Sequence, residues 1–211
     1  MFETSILRRV WLSRGTIALD LERPPGFQFT SGQSIGISLG GNQRDYSIVS
    51  GCTEPGLSLC VRLILEGALS PALAAAPEGT RCLLSGPHGC FTCRESGQPA
   101  VFVATGTGIA PFVSMARSGV RGFTLLHGVR ESQELYYEAE LRKAAMRYVS
   151  CLSRDRRDGA FAGRVTEAAA RNIEPGPHDF YLCGSRHMIR DFTVLVDEVF
   201  PGSRVFVEVF H

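Results

Sequence analysis

Lysine is nearly absent from this chain. Of 22 basic residues, all but Lys143 are arginine, whose planar fork suits phosphate but which also serves as plain surface charge. Net charge is small as well, at +1 over 211 residues, so no global field favours nucleic acid or an anionic membrane. The longest uncharged stretch, residues 96–116, is broken by glycines and prolines and does not read as a membrane span. Residues 1–10 carry Glu3, Arg8 and Arg9 with no apolar core, so no signal peptide is expected. The seven cysteines show no regular framework, and free thiols in a reducing cytosol are the simplest account, with a cytoplasmic location expected. Cys90 and Cys93 form one C-x-x-C with no second pair at matching spacing, so neither metal nor cluster is expected. Internal repeats and low-complexity tracts are also missing.

The chain does have enough apolar residues to bury a core, at 44% hydrophobic against 20% charged. Its first ninety or so residues alternate with period two. Ile17, Leu19 and Leu21 alternate with polar neighbours. So do Ile35, Ile37 and Leu39, and again Leu57, Leu59, Val61 and Leu63. Each pattern is that of a half-buried strand. Turn signals at Pro24-Pro25-Gly26, Gly40-Gly41-Asn42 and Glu54-Pro55-Gly56 separate them. Short strands at regular spacing predict a small antiparallel barrel, interrupted by one helical piece near residues 70–76.

Residues 94–99 are polar and glycine-containing, a linker pattern. Beyond them, strand-like runs at 101–104, 122–127, 147–152, 179–183 and 204–209 alternate with helical patterns. One helix is expected to place Tyr137, Leu141 and Ala145 on one face. Another is expected to do so with Met188, Phe192, Leu195 and Val199. Alternating elements predict a parallel sheet covered by helices. Ligands in such sheets bind at the carboxyl ends of the strands. That edge would carry residues 105–110, 127–130, 153–154 and 183–185. At its centre, the apolar run 101–104 leads into Thr105-Gly106-Thr107-Gly108 and then Pro111, which suits the first turn of a helix. A strand, a glycine turn and a helix start offer backbone N–H groups to an anion such as a dinucleotide pyrophosphate. The same pattern also describes an ordinary strand-to-helix turn. The usual third glycine of a dinucleotide fingerprint is replaced by proline.

Arg44-Asp45-Tyr46-Ser47 resembles the R-x-Y-S signature of the ferredoxin–NADP reductase family. Further segments resemble that family in the same order. They are Gly67-Ala68-Leu69-Ser70, the Gly-Pro-x-Gly-x-Phe segment from Gly86 to Phe91, the turn Gly106 to Phe112, Leu126 to Arg130, and Tyr181-Leu182-Cys183-Gly184. The resemblance implies a Greek-key antiparallel β-barrel holding flavin over residues 1–96, followed by a parallel-sheet α/β nicotinamide-nucleotide domain over residues 97–211. It implies FAD and NADP(H) as cofactors. Arg44 would meet the flavin pyrophosphate, Tyr46 would pack on the isoalloxazine, and Ser47 would hydrogen-bond near N5. Gly67, Leu69 and Ser70 would form a second flavin-phosphate turn. Thr105, Gly106 and Gly108 would hold the nicotinamide cofactor, and Cys183 and Gly184 would approach the nicotinamide ring. The chemistry is consistent: a guanidinium fork matches phosphate oxygens, an aromatic face stacks on a flat ring, and a hydroxyl both donates and accepts.

The resemblance further implies that Ser153, Arg154 and Arg164 bind the 2′-phosphate of NADPH, with Arg130 assisting on the pyrophosphate or adenine side. A carboxylate on the ribose would instead indicate NADH; Asp155 is nearby but follows the serine–arginine pair. Arg156 and Arg157 read as a solvated basic loop. The chain's ending, from Phe206 to His211, resembles the plastid-type terminus. Glu208 then matches an active-site carboxylate and Phe210 the flavin-stacking aromatic, although Phe210 lacks a hydroxyl and His211 extends the usual end. The same residues also read as a simple last strand. Cys183 reads either as buried packing or, by its place in the motif, as catalytic together with Ser47 and Glu208.

The implied activity is a flavoprotein reductase. Hydride would pass from NADPH to FAD and single electrons to a carrier such as ferredoxin or flavodoxin. The alternatives are a reductase component of an oxygenase, a free flavin reductase, or a non-catalytic flavin-binding module. No fused iron–sulfur domain is expected, because the seven cysteines lack the spacing of one. FAD is not separated from FMN by residues alone, and neither acceptor nor oligomeric state is legible.

Overall fold

A computed structural model describes the backbone of residues 1–210 and the side chains of residues 1–209; His211 and the Phe210 side chain lie outside the described residues. The chain forms two units. One comprises Met1–Cys93 with Ala110–Ser118, the other Arg94–Ile109 with residues 119 onward.

In the first unit, β1 (Phe2–Ser13), β2 (Thr16–Glu22), β3 (Ser34–Leu39), β4 (Asn42–Ser47), β5 (Gly56–Arg62) and β6 (Arg81–His88) form one sheet in the order β4-β3-β6-β1-β2-β5. Every neighbouring pair is antiparallel. Just past β4, Ile48 bridges to Leu59 on β5, and the Val49 N–H donates to the Ser58 carbonyl at 2.8 Å. This contact closes the sheet into a barrel and protects its edges. The alternating residues point inward as their period requires: Ile17, Leu19, Leu21, Ile35, Ile37, Leu57, Leu59 and Val61 are all completely buried. Each such side chain contributes about 1.5–3 kcal/mol of burial. Between β3 and β4, Gly40 and Gly41 take φ of 58° and 79°, as a two-residue hairpin turn with both central residues left-handed demands. β1 was not evident from alternation. Its pairing with β2 shifts register between Ile6 and Arg8 and again between Trp11 and Ser13, and each irregularity breaks the period-two pattern.

Two helices belong to this unit. α1 spans Leu69–Ala75, one residue ahead of the expected piece. α2 spans Ala110–Arg117. It is buried along nearly its whole length, its Ser114 hydroxyl donating to the Ser50 carbonyl at 2.8 Å and its Phe112 ring set edge-on to Phe91.

In the second unit, β7 (Ala100–Thr105), β8 (Thr124–Val129), β9 (Arg147–Leu152), β10 (Phe161–Ala162), β11 (Asp179–Ser185) and β12 (Arg204–Phe210) form a second sheet, ordered β10-β9-β8-β7-β11-β12. All its pairings are parallel. On one face Val101, Val103, Leu126, Phe180 and Leu182 pack with α4 (Val165–Asn172) and α5 (Arg186–Val199). On the other, Phe102 stacks on Phe123 at 4.4 Å and Tyr181 on Phe206 at 4.7 Å. No helix among the described residues is long and apolar enough to cross a membrane.

Two helix expectations need correction. α3 spans only Glu138–Ala144; Tyr137 precedes it with φ of 58° and Ala145 follows it in extended conformation. The expected face of Tyr137, Leu141 and Ala145 therefore reduces to Leu141, because the helix is too short to hold three turns. α5 lies where expected, but its buried face runs Met188, Ile189, Phe192 and Val196. Val199 is exposed. At the helix end the buried position four residues on from Val196 is taken by Phe200, and Val199 beside it faces outward.

Candidate functional site

The expected flavin residues lie on two short segments of the barrel unit, β4 and the turn into α1. Arg44 and Tyr46 lie two apart on β4, hence on one face, in register with Ile37 and Ile35 of β3. Tyr46 is half-buried against the core while Arg44 is exposed. Burial pushes the Tyr46 hydroxyl up to about 12, against the lowering effect of the Arg44 charge. The phenol stays neutral and its ring serves as an apolar platform. Arg44 donates to the Gln43 carbonyl at 2.6 Å and presents the rest of its guanidinium at the surface. Ser47, buried at the end of β4, has its hydroxyl 3.5 Å from that of Ser34. On the opposite face of β4, Gln43 donates to Ser85 at 3.3 Å and Asp45 lies 3.4 Å from His88, both on β6.

Gly67 closes a turn onto the Ile64 carbonyl, and the Ser70 hydroxyl accepts the Ile64 N–H at 3.0 Å. That leaves the Ser70 O–H as a donor. Ala68, at the start of α1, makes no side-chain cap, and the first turn contains no acid. Leu69 is buried beneath it. Donors without competing carboxylates suit a phosphate.

The expected nicotinamide residues lie at the carboxyl edge of the parallel sheet. Thr105 ends β7; a 3-10 turn, Gly106–Ile109, follows it. Gly106 takes φ of 56°, and a Cβ there would meet nothing within 4 Å, so the space beside this backbone is open. Gly108 and Gly184 are tight instead. A Cβ on Gly108 would strike the Cys183 carbonyl, and one on Gly184 would strike the Thr105 hydroxyl. The two glycines let β7's turn and β11's end lie backbone to backbone.

Parallel register sets Glu208, Cys183, Ala104, His127 and Ser150 in one row across β12, β11, β7, β8 and β9. Cys183 is completely buried, and burial together with the Glu208 charge drives its thiol well above the ordinary range. The thiol is therefore held in its neutral form. His127 is also fully buried; desolvation drives it down to about 3 despite Glu138's opposing charge, and its Nδ1 lies 2.8 Å from the Tyr148 hydroxyl. The β12 backbone carries Phe210 beside Ser185, while the stacking roles expected of the Phe210 ring and of His211 lie outside the described residues.

The basic residues expected at the 2′-phosphate occupy successive strand ends. Phe161 and Ala162 pair with Cys151 and Leu152. Ser153-Arg154 and Gly163-Arg164 therefore continue from neighbouring strands at the same level. On the other side, the Arg154 N–H donates to the Arg130 carbonyl at 3.0 Å and the Ser153 N–H to that of Val129 at 3.1 Å. Arg130, Arg154 and Arg164 are all exposed. β10 is only two residues long and was not anticipated, yet it sets this alignment. Asp155 is committed elsewhere: its carboxylate accepts the Ser132 N–H at 2.9 Å and the Arg156 N–H at 2.7 Å, and hydrogen bonding from the Ser132 side chain together with these N–H groups holds it below its ordinary range. Arg157, expected as a solvated loop residue, instead grips Glu138 through two hydrogen bonds. No sequence signal linked these residues, which stand nineteen positions apart.

Among the described residues, no group of three or more His, Cys, Asp or Glu side chains could hold a metal ion. The donor set fits flavin and a nicotinamide dinucleotide better. In the barrel unit this means a guanidinium beside an aromatic ring and an uncapped helix start; in the sheet unit it means a backbone turn with open space at Gly106.

Residues 102–193 match the oxidoreductase NAD-binding domain family. The chain is 34% identical over 216 residues to ferredoxin–NADP reductase B of Sorangium cellulosum, covering 89% of this chain and 88% of that protein. It is 31% identical over 196 residues to the toluate 1,2-dioxygenase electron transfer component of Pseudomonas putida, covering 84% of this chain but only 58% of the relative's length. The structure of a ferredoxin NADP+ reductase from Neisseria gonorrhoeae with bound FAD and NADP matches in fold with a TM-score of 0.90 at 24% identity, over 99% of this chain and 98% of that one. With this fold, these glycine contacts and a relative matched over nearly its full length, the chain belongs to the ferredoxin–NADP reductase family, as an FAD-dependent NAD(P)H oxidoreductase.

Proposed function

We propose that this enzyme uses NADPH as its nicotinamide, FAD as its flavin, and a ferredoxin or flavodoxin as its protein partner. The observation that carries the choice of NADPH is the row of Arg130, Arg154 and Arg164 at the ends of β8, β9 and β10, with Asp155 turned to Ser132. A ribose 2′-phosphate needs cationic donors, and an unengaged carboxylate there would repel it.

A bound flavin would supply two-electron exchange with a reduced nicotinamide and one-electron exchange with a protein carrier. The chain's own residues bind and orient. Arg44, Gly67, Leu69 and Ser70 form the flavin-phosphate contacts, Tyr46 supplies the ring platform, and the Ser47 hydroxyl donates or accepts as the flavin's protonation changes. Thr105, Gly106 and Gly108 receive the dinucleotide pyrophosphate on backbone N–H groups, and Ser153, Arg154 and Arg164 receive the 2′-phosphate. Cys183 and Gly184 shape the nicotinamide end. Glu208, level with Cys183 on the adjoining strand, is the carboxylate of that row. Positioning of the two rings is the main catalytic service.

Anaerobic reduction of the flavin-loaded protein tests this reading. NADPH should bleach the flavin faster than NADH at equal concentration, and reduced protein should then reduce added ferredoxin or flavodoxin. Preference for NADH rejects the phosphate assignment. A second reading, the reductase component of an oxygenase, draws support from the identity with the toluate dioxygenase component. It would show as electron delivery to an oxygenase iron–sulfur protein with neither ferredoxin nor flavodoxin accepting.

A further inference from the structure

The loop bearing Arg154 is tied down at three places. At its start, the Arg154 N–H donates to the Arg130 carbonyl at 3.0 Å. One residue on, Asp155 accepts the Ser132 N–H at 2.9 Å. At its far side, Arg157 reaches across to α3, donating to the two carboxylate oxygens of Glu138 at 2.9 and 2.5 Å. Glu138 is half-buried and also receives Arg142, one helical turn along, at 2.8 Å. Arg142 in turn lies over the Tyr148 ring at 4.5 Å, and Tyr148 meets the buried His127. The Arg157 clamp is thus continuous with the sheet.

The geometry points to Glu138 and Arg157 as positioning residues for cofactor choice. Their two-pronged ion pair fixes the 153–164 loop so that Arg154 and Arg164 meet the 2′-phosphate, and Arg157 is itself no phosphate ligand. This inference rests on the NADPH reading above. A guanidinium held by both carboxylate oxygens has its fork occupied. An exposed loop arginine loses much side-chain freedom when ordered. An anchor holding the loop beforehand removes part of that cost from the binding step.

Charge gives the test its sign. Glu138 neutralises cations near the phosphate site, so if Arg157 were a phosphate ligand restrained by Glu138, freeing it would tighten NADPH. If the pair is an anchor, breaking it from either side weakens NADPH. Steady-state kinetics on flavin-loaded full-length protein should therefore compare Glu138→Gln, Arg157→Gln, Arg157→Lys and the Glu138→Gln/Arg157→Gln double variant, with thermal melting of each. The expected result is a rise in KM for NADPH of about fivefold in each single variant, with the double variant no worse than either single one. kcat and the KM for NADH should hold steady. Arg157→Lys, which keeps charge but loses the fork, should behave as Arg157→Gln does.

Opposite signs for Glu138→Gln and Arg157→Gln would overturn the anchor, as would rescue by Arg157→Lys. So would a lowered melting temperature with the NADPH-to-NADH ratio unmoved, or no change at all. Arg154→Ala separates this inference from the reading beneath it. If Arg154→Ala leaves the NADPH preference intact, the 2′-phosphate assignment itself falls. If it removes the preference while the Glu138 and Arg157 variants do nothing, only the anchor falls.

Discussion

The hydroxyl of Thr105 accepts the backbone N–H of Ser185 at 3.1 Å. This bond crosses from the end of β7 to the end of β11. It is possible because the intervening Gly184, at φ of 140°, leaves no Cβ where the Thr105 hydroxyl sits. Gly184→Ala should therefore cost stability through both steric overlap and backbone strain, about 1–3 kcal/mol. It should also raise KM for the nicotinamide cofactor by displacing the Thr105–Gly108 turn. Thermal melting and steady-state kinetics on the same preparation check the two effects together.

Arg154→Ala with Arg164→Ala addresses the 2′-phosphate directly. Each charge-assisted contact contributes about 1.5–3 kcal/mol, so the double variant should raise KM for NADPH by well over about tenfold. KM for NADH should scarcely change. Equal losses for the two cofactors would place these arginines elsewhere in binding.

Tyr46→Phe should retain flavin through purification, whereas Tyr46→Ala should shed it. The ring is the functional part, and its hydroxyl, pushed up to about 12, stays neutral throughout the working range. Flavin stoichiometry by absorbance decides the matter.

Thiol accessibility follows burial. Cys90 is exposed, while Cys60 and Cys183 are buried. Burial pushes the Cys60 thiol up to about 12 and raises the Cys183 thiol well above its ordinary range, the latter with help from Glu208. A thiolate is the reacting species. A disulfide reagent at mildly alkaline pH should modify Cys90 first and leave Cys60 and Cys183 intact until unfolding, as peptide mapping would reveal.

His127 has a stability consequence with a definite sign. Desolvation holds its folded pKa down to about 3, below the ordinary 6.5. The unfolded chain therefore takes up a proton first as pH falls. The resulting loss of stability is absent above about pH 6.5, grows down to about pH 3, and stops growing below. One proton gives a slope of at most about 1.4 kcal/mol per pH unit. His127→Asn should flatten the denaturation midpoint's dependence on pH between 6.5 and 3 relative to the unaltered protein.

Period and punctuation made much of this molecule legible. Ile17, Leu19 and Leu21 announced a half-buried strand because side chains alternate on a pleated sheet. The run 101–104 announced a strand covered on both faces because no polar position interrupts it. The R-x-Y-S and glycine-turn motifs likewise sit in short continuous stretches. β1 stayed hidden because its register shifts at Ile6/Arg8 and Trp11/Ser13 erase the alternation. β10 stayed hidden because two residues carry no period. Arg157 looked like a solvated charge because its partner Glu138 is distant in the chain and carries no motif.

Sequence alone therefore determined the order of those strands and helices that carry a local period, and the chemical kinds of residue at each turn, since these depend on neighbours a few positions away. Tertiary structure alone decided the level to which each strand end was brought. The row from Glu208 through Cys183 to Ser150, and the alignment of Arg130, Arg154 and Arg164, come from parallel pairing between segments remote in the chain. Register is fixed by hydrogen bonds and packing across strands, which no local pattern encodes.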